Sequence, residues 1–289
     1  MTSLSIILMD VILLVFLLML SIPLPVCFAG ALLFLSLFGD VSMKTMLIWV
    51  FSQSTGTVLL ASPLFILAGT YMGGSGIAKR LLDCVDAFVG HIKSGLGVVA
   101  VLVCAIMGAI SGSGFTGVAA TGPIMIPKME EQGYPRGYAT ALVTVSSVLG
   151  LLIPPSVVMI MFGWVTECSI LACFLSTLGP GLIITALFCI IHVFWSRQFD
   201  LKVTEKKPFG EFASNAGKMT FKAVPALIMP LIILGGIYGG VFTPTEAAAM
   251  AAIYSIPIGL WVYKACTFKG FLAMTKEATS TVGSIMVMI

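Results

Sequence analysis

Residues 109–117 read AISGSGFTG, with Gly112, Gly114 and Gly117 at the G-x-G-x-x-G spacing that elsewhere cradles the pyrophosphate of a dinucleotide. Inside a membrane the same cluster would break a helix and expose its backbone. The residues around it decide which reading applies.

Composition excludes a soluble protein. Hydrophobic residues make up 59% of the 289 and charged residues 9%, against about 25% charged in an ordinary soluble domain. Uncharged runs cover 45–78, 94–127, 137–166, 223–245 and 247–263, and 168–196 carries His192 alone. Each run reaches or approaches the roughly 20 residues that a helix needs to cross a bilayer. The expected fold class is therefore all-α, a polytopic protein of the lipid bilayer. The net charge of +3 is spread over short connections, which gives no support to nucleic-acid binding. The 7 cysteines form no C-x-x-C pair and read as small buried residues. No basic n-region precedes the first apolar stretch, so it reads as a retained span and not a cleaved signal.

Basic residues mark the cytoplasmic side. The richest basic connection, with Arg197, Lys202, Lys206, Lys207, Lys218 and Lys222, is placed there. Residues 168–196 then come from outside, 223–245 cross outward, and 247–263 return to Lys264, Lys269 and Lys276. Working backwards, 137–166 start inside, next to Lys128 and Arg136. The connection holding Lys79, Arg80 and Lys93 is basic as well. Residues 94–127 thus begin and end on one side, and they are short for two crossings of about 20 residues each and a turn. A re-entrant hairpin solves this, with its tip at the opening glycines. Segment 79–93, KRLLDCVDAFVGHIK, repeats Leu81, Leu82, Val85, Phe88, Val89 and Ile92 at helical spacing. It reads as an amphipathic helix at the headgroups, with His91 a solvated surface residue. Residues 205–222 repeat the pattern more weakly.

The dinucleotide reading needs a buried strand before the glycines and an acid some 20 residues on. Glu130 and Glu131 fall near that distance, but in the polar connection KMEEQGYPRG. That reading is rejected. In the membrane reading each glycine costs a helix about 1 kcal/mol against alanine. Non-helical backbone at membrane depth is tolerated where it is buried in protein or lines an aqueous cavity. Close helix packing through Gly108-x-x-x-Gly112 is the plainer alternative. A second interruption, GLLIPPSVV at 150–158, lies within an uncharged run. Pro154 and Pro155 remove two amide donors, and Pro154 pushes Ile153 out of helical geometry. A hairpin tip and a broken helix can meet near the midplane. Secondary transporters hold a cation on carbonyls and an anion on half-helix N-termini in this way.

In GAISGSGFTGVAATGPIMIP (108–127) and GYPRGYATALVTVSSVLGLLIPPSVVMIMFG (133–163) the chain resembles the large membrane subunit of tripartite ATP-independent periplasmic (TRAP) transporters. PLFILAGTYMGGSGIAKRLLD (63–83) and GGIYGGVFTPTEAAA (235–249) fit the same family, so the resemblance covers essentially the whole chain. It implies an inverted-repeat, elevator-type importer of the bacterial inner membrane, driven by Na+ and without an organic cofactor. The implied partners are a small membrane subunit of the Q type and a periplasmic solute-binding protein of the P type. The implied solutes are carboxylates: dicarboxylates, sialic acid and other sugar or keto acids. Carried over residue by residue, the resemblance implies a Na+ site from Ser111, Gly112, Ser113, Gly150, Ile153 and Pro155. It implies solute contacts from Ser113, Gly114, Phe115, Thr116, Pro155 and Ser156. Family hairpins often have a second serine where this chain has Gly114, leaving one hydroxyl fewer.

The expected organisation starts with scaffold helices over 1–78, broken at Pro23–Pro25 and binding the small subunit. The amphipathic helix 79–93, the hairpin 94–127, the discontinuous helix 137–166, a membrane helix at 167–197 and a basic arm at 198–222 follow. Residues 223–289 begin a second repeat and stop about where its own hairpin should start. A second sodium site is then missing, and such a chain is not expected to transport by itself. Trp49, Trp164, Trp195 and Trp261 read as interfacial anchors. A membrane enzyme would need converging Ser/His, Asp/Asp or H-E-x-x-H groups, and Asp10, His192 and Glu246 lie in separate segments. A channel or a non-transporting remnant of a permease are the alternatives that stay open. The hairpin and the broken helix contain no Asp, Glu or His, which favours Na+ over H+ as the coupling ion.

Overall fold

The structure, a computed structural model, describes residues 3–39, 42–56, 58–90, 94–201 and 209–288. His91, Lys93, Lys202, Lys206 and Lys207, each given a place in the topology above, lie outside the described residues. Every regular element among the described residues is a helix. The chain forms two compact units, 1–57 with 280–289, and 58–279. The boundary between them falls between Thr57 and Val58.

In the first unit, α1 (Ser3–Met19), α2 (Leu24–Phe38) and α3 (Met43–Ser54) are apolar helices with few buried side chains. The chain leaves α1 through Ser21, at φ 59°, and enters α2 with a proline in its first turn. There a missing N–H costs nothing. Gly30 of α2 lets Leu17 of α1 come within 3.2 Å of where a Cβ would stand. Ile12, Phe16, Leu33 and Phe51 are exposed on this unit, a surface suited to lipid or to other membrane helices.

The second unit holds α4 (Ala61–Gly74), α5 (Ile77–Val89), α6 (Gly95–Ser111), α7 (Gly114–Glu131), α8 (Arg136–Ser147), α9 (Leu149–Leu152), α10 (Val157–Val165), α11 (Ile170–Trp195), α12 (Phe209–Tyr238) and α13 (Pro244–Pro257). It also holds the part of α14 (Phe268–Met288) up to Thr279. Helix α6 is apolar on all sides and is accordingly the most enclosed, with Val99, Ala100, Val103, Cys104, Met107 and Ile110 buried. Helix α4 packs on α13, where Ala247, Ala248, Ala251 and Ala252 are buried. Small residues let two helices approach closely where lipid gives no hydrophobic drive for association. Arg136–Val165, Ile170–Gln198, Ala216–Tyr238 and Pro244–Val262 are long and apolar enough to cross a membrane.

Two local devices account for residues that had no assigned place. Glu246 is the fourth residue of a capping box: the Thr243 hydroxyl accepts from the Glu246 N–H, and the Glu246 carboxylate accepts from the Thr243 N–H. Helix α12 runs unbroken across residue 222. Pro225 lies just beyond, and the Tyr263 hydroxyl sits inside the helix ladder there. It accepts from Ala226 N–H at 3.1 Å and donates to Lys222 O at 3.0 Å. One phenol thus bridges the helical pair that the proline loosens.

Candidate functional site: a hairpin tip against a broken helix

The hairpin turns where glycine allows it to. Gly112 adopts φ +66°, the left-handed region that favours glycine, while its N–H still closes the last turn of α6 on Gly108 O at 2.7 Å. Ser113 is extended and α7 restarts at Gly114. The Ser111 hydroxyl, fully buried, donates to Met107 O at 2.9 Å and accepts from Ser113 N–H at 3.3 Å. Ser113 O lies 3.2 Å from the same hydroxyl. Two oxygens therefore stand side by side at the tip.

The second break follows from the prolines. Ile153 is extended (ψ 120°), Ser156 is extended (ψ 127°), and between them the Pro154–Pro155 peptide is cis. In an intact helix Gly150 O and Leu151 O would accept from residues 154 and 155, which have no N–H. Leu151 O is taken instead by the Ser156 hydroxyl at 2.7 Å. Gly150 O has no such substitute from the prolines. Ile153 N–H closes on Leu149 O at 2.8 Å, and its side chain turns toward Gly181 of α11 and packs with Val101, Ala105 and Ala109.

The two breaks meet. Val157 N–H, at the start of α10, donates to Gly112 O at 3.0 Å and joins the broken helix to the hairpin tip. A Cβ on Gly150 would stand 2.7 Å from Gly108 Cα and 3.1 Å from Ser113 O. One on Gly112 would stand 3.0 Å from Pro155 O, and one on Gly114 3.0 Å from Ser147 O. The three glycines leave carbonyl oxygens of Ser113, Pro155 and Ser147 facing backbone where side chains would otherwise intrude. The N-termini of α7 and α10 both begin here, and their first N–H groups carry partial positive charge.

The contact thus brings together Ser111, Gly112, Ser113, Gly150 and Pro155. Ile153 has its N–H and side chain engaged elsewhere, so its carbonyl is what it has to offer an ion. The Ser156 hydroxyl is buried and used within the break, which leaves it no free donor for a solute in this structure. Phe115, 88% exposed, projects from the first turn of α7. Thr116 is placed by its backbone in the same turn, and its side chain lies outside the described residues. Sequence reading missed Ser147 and Val157, which take part through backbone atoms. It noticed Gly108 as a packing residue, and the facing Gly150 shows what it packs on. The oxygens at this contact are a serine hydroxyl and backbone carbonyls, and are therefore neutral.

A second cluster ties the feet of the same elements. His192 of α11 is 1% exposed, and its ring lies against Gly97 of α6, where a Cβ would overlap it. Its Nε2 is 3.1 Å from Ser94 O, and a carbonyl can only accept, so Nε2 carries the proton. Nδ1 then accepts from the Tyr138 hydroxyl at 2.9 Å, with the Tyr134 hydroxyl 3.4 Å from Nε2. Burial raises the Tyr134 pKa, which keeps that phenol protonated. The start of α6, the α7–α8 connection and α8 are thereby joined to α11. Ser94 and Ser111 bracket α6, about 25 Å apart at 1.5 Å per residue.

A family model described as "Tripartite ATP-independent periplasmic transporter, DctM component" matches residues 11–289. The chain is 40% identical over 236 residues to the C4-dicarboxylate TRAP transporter large permease protein DctM of Pseudomonas aeruginosa, which covers 82% of this chain and 54% of that relative. It is 34% identical over 280 residues to the ectoine TRAP transporter large permease protein TeaC of Halomonas elongata, covering 94% and 64%. To the sialic acid TRAP transporter large permease protein SiaM of Vibrio cholerae it is 33% identical over 235 residues, covering 80% and 53%. The chain spans roughly half to two thirds of the length of these relatives.

Proposed function

The chain belongs to the DctM component family of tripartite ATP-independent periplasmic transporters, and from that premise we propose that it forms the ion-binding half of a sodium-coupled carboxylate importer. A permease component is a transporter and not an enzyme. The observation that carries the proposal is the contact between the hairpin tip and the broken helix. It gathers the Ser111 hydroxyl and the backbone oxygens of Ser113 and Pro155 against Gly150 and Gly112, with Ser147 O beside Gly114. Neutral oxygens suit a hard monovalent cation, and the absence of Asp, Glu and His from both elements disfavours a proton relay there. His192 stands at the other end of α6 and does not enter this site.

Na+, when bound, supplies the positive charge that the site itself lacks. The residues would do the rest: Gly112 and Gly150 keep side chains out, Pro154 leaves Gly150 O without its helical donor, and Val157 N–H holds the tip in place. The N-termini of α7 and α10 favour an anionic group nearby. The C4-dicarboxylate, sialic acid and ectoine named for the relatives each carry a carboxylate, which supports a carboxylate solute here. A periplasmic binding protein would deliver it, a small membrane subunit would pack on the exposed apolar helices of the first unit, and the assembly would sit in the inner membrane. The test is solute uptake into proteoliposomes by the complete three-part transporter, with imposed sodium or pH gradients. Saturable uptake that follows the sodium gradient is expected. Uptake driven by a pH gradient and indifferent to sodium would overturn the proposal.

A further inference from the structure

Where α5 ends and α6 begins, the second unit holds a cavity of ≈ 300 Å³ against α11, walled by Val89, Val98, Cys189, Ile190, Val193 and Phe194. Ser94 also borders it, but its polar groups are already engaged: its carbonyl with His192 Nε2 and its hydroxyl with Ser196 Oγ at 2.6 Å. Among the described residues a polar solute would find no free side-chain partner on these walls. Apolar cavities of about 150 Å³ already take up benzene, so this one has room for a longer hydrocarbon.

At the rim, the Arg197 guanidinium lies 5.0 Å from the centroid of the Phe194 ring, and Phe194 is itself a wall of the cavity. Among the described residues no carboxylate pairs with Arg197, and the neighbouring Trp195 is 57% exposed. An apolar slot with a cation at its mouth, at the end of a helix long enough to cross a membrane, matches the two ends of one molecule. We propose that this cavity binds an anionic phospholipid, with an acyl chain between α6 and α11 and the phosphate on Arg197. The chain would fill the corner beside the Ser94–His192 contact and brace α11 against the start of the hairpin.

The experiment is native mass spectrometry of the purified chain, delipidated and then titrated with phosphatidylglycerol or phosphatidylcholine. Wild-type protein should retain one phosphatidylglycerol about fivefold more tightly than phosphatidylcholine, the factor that corresponds to about 1 kcal/mol per basic residue at an anionic surface. Arg197→Gln, a change at an exposed position, should abolish that preference while leaving weak retention of both lipids. Cys189→Phe, which fills the cavity, should abolish retention of both. Should Cys189→Phe fail to fold, the Arg197→Gln result still decides. Equal retention of the two lipids by wild type, or an unchanged preference in Arg197→Gln, would overturn the proposal. So would a second copy of the chain being the species lost in Cys189→Phe.

Discussion

The backbones of Gly108 and Gly150 touch: a Cβ on Gly150 would stand 2.7 Å from Gly108 Cα, with nothing flexible between the two helices to yield. This crossing is what lets Ser113 O and Gly150 come together. Gly150→Ala should therefore push the hairpin away from the broken helix and lower stability by about 1–3 kcal/mol, the usual cost of overpacking. Gly137→Ala, on a neighbouring helix with nothing within 4 Å of the new methyl group, should change little. Thermal unfolding of both variants in one detergent makes the comparison. Equal midpoints would mean that the crossing is loose.

His192 offers a test of the joint at the other end. His192→Phe removes the donor to the buried Ser94 O and the acceptor for the half-buried Tyr138 hydroxyl, leaving both without these partners. Each costs about 1–3 kcal/mol. His192→Gln keeps one donor and one acceptor on a flexible stem and should recover part of the loss. The unfolding midpoints should rank wild type, Gln, then Phe. If Gln and Phe prove equally destabilised, the ring's packing on Gly97 and not its hydrogen bonds holds the joint.

Asp86 gives a pH dependence with a definite sign. Burial raises its pKa above the ordinary 3.8; Lys128, 3.8 Å away, pulls it down less than burial lifts it, and Asp83 lifts it further. The native state thus holds this proton more tightly than the unfolded chain does. The charged carboxylate is a cost at neutral pH, and that cost disappears as pH falls through the native pKa toward 3.8. Asp86→Asn should match or exceed wild-type stability at about pH 7, with the gap closing on acidification. Midpoints measured from about pH 7 to about pH 4 test this. A gap that opens in acid would reverse the sign and make the Lys128 pair dominant.

Much of the fold was legible because the membrane restricts the alternatives. Runs without charge leave helices as the economical answer, and glycines or prolines inside them need a protein or aqueous neighbour. Hence AISGSGFTG and GLLIPPSVV stand out in the sequence as two interruptions able to meet. Which atoms meet was not legible. Ser147 and Val157 contribute a carbonyl and an N–H, and backbone atoms leave no signature in side-chain identity. Ile153 turns toward Gly181, and His192 meets tyrosines 54 and 58 positions earlier, pairings that no local period encodes. Charge alone sets the boundary at 222 in the sequence, and it carries no sign that α12 continues through it with the Tyr263 hydroxyl in the helix ladder. The hydrogen bond from the Ser156 hydroxyl back to Leu151 O, at 2.7 Å, spans the prolines and has no signature in the sequence either.

The central claim is that the tip and the break together hold Na+, and it is tested most directly by the thermal midpoint of the purified chain in sodium and in potassium at equal ionic strength. A ligand bound by the native state alone, at about a hundred times its dissociation constant, adds about 2.7 kcal/mol. Wild-type protein should melt higher in sodium. Ser111→Ala should lose a buried hydrogen bond in both salts, about 0.5–1.5 kcal/mol, and with it most of the sodium-minus-potassium difference. Identical wild-type midpoints in the two salts, or a full sodium shift retained in Ser111→Ala, would contradict the account.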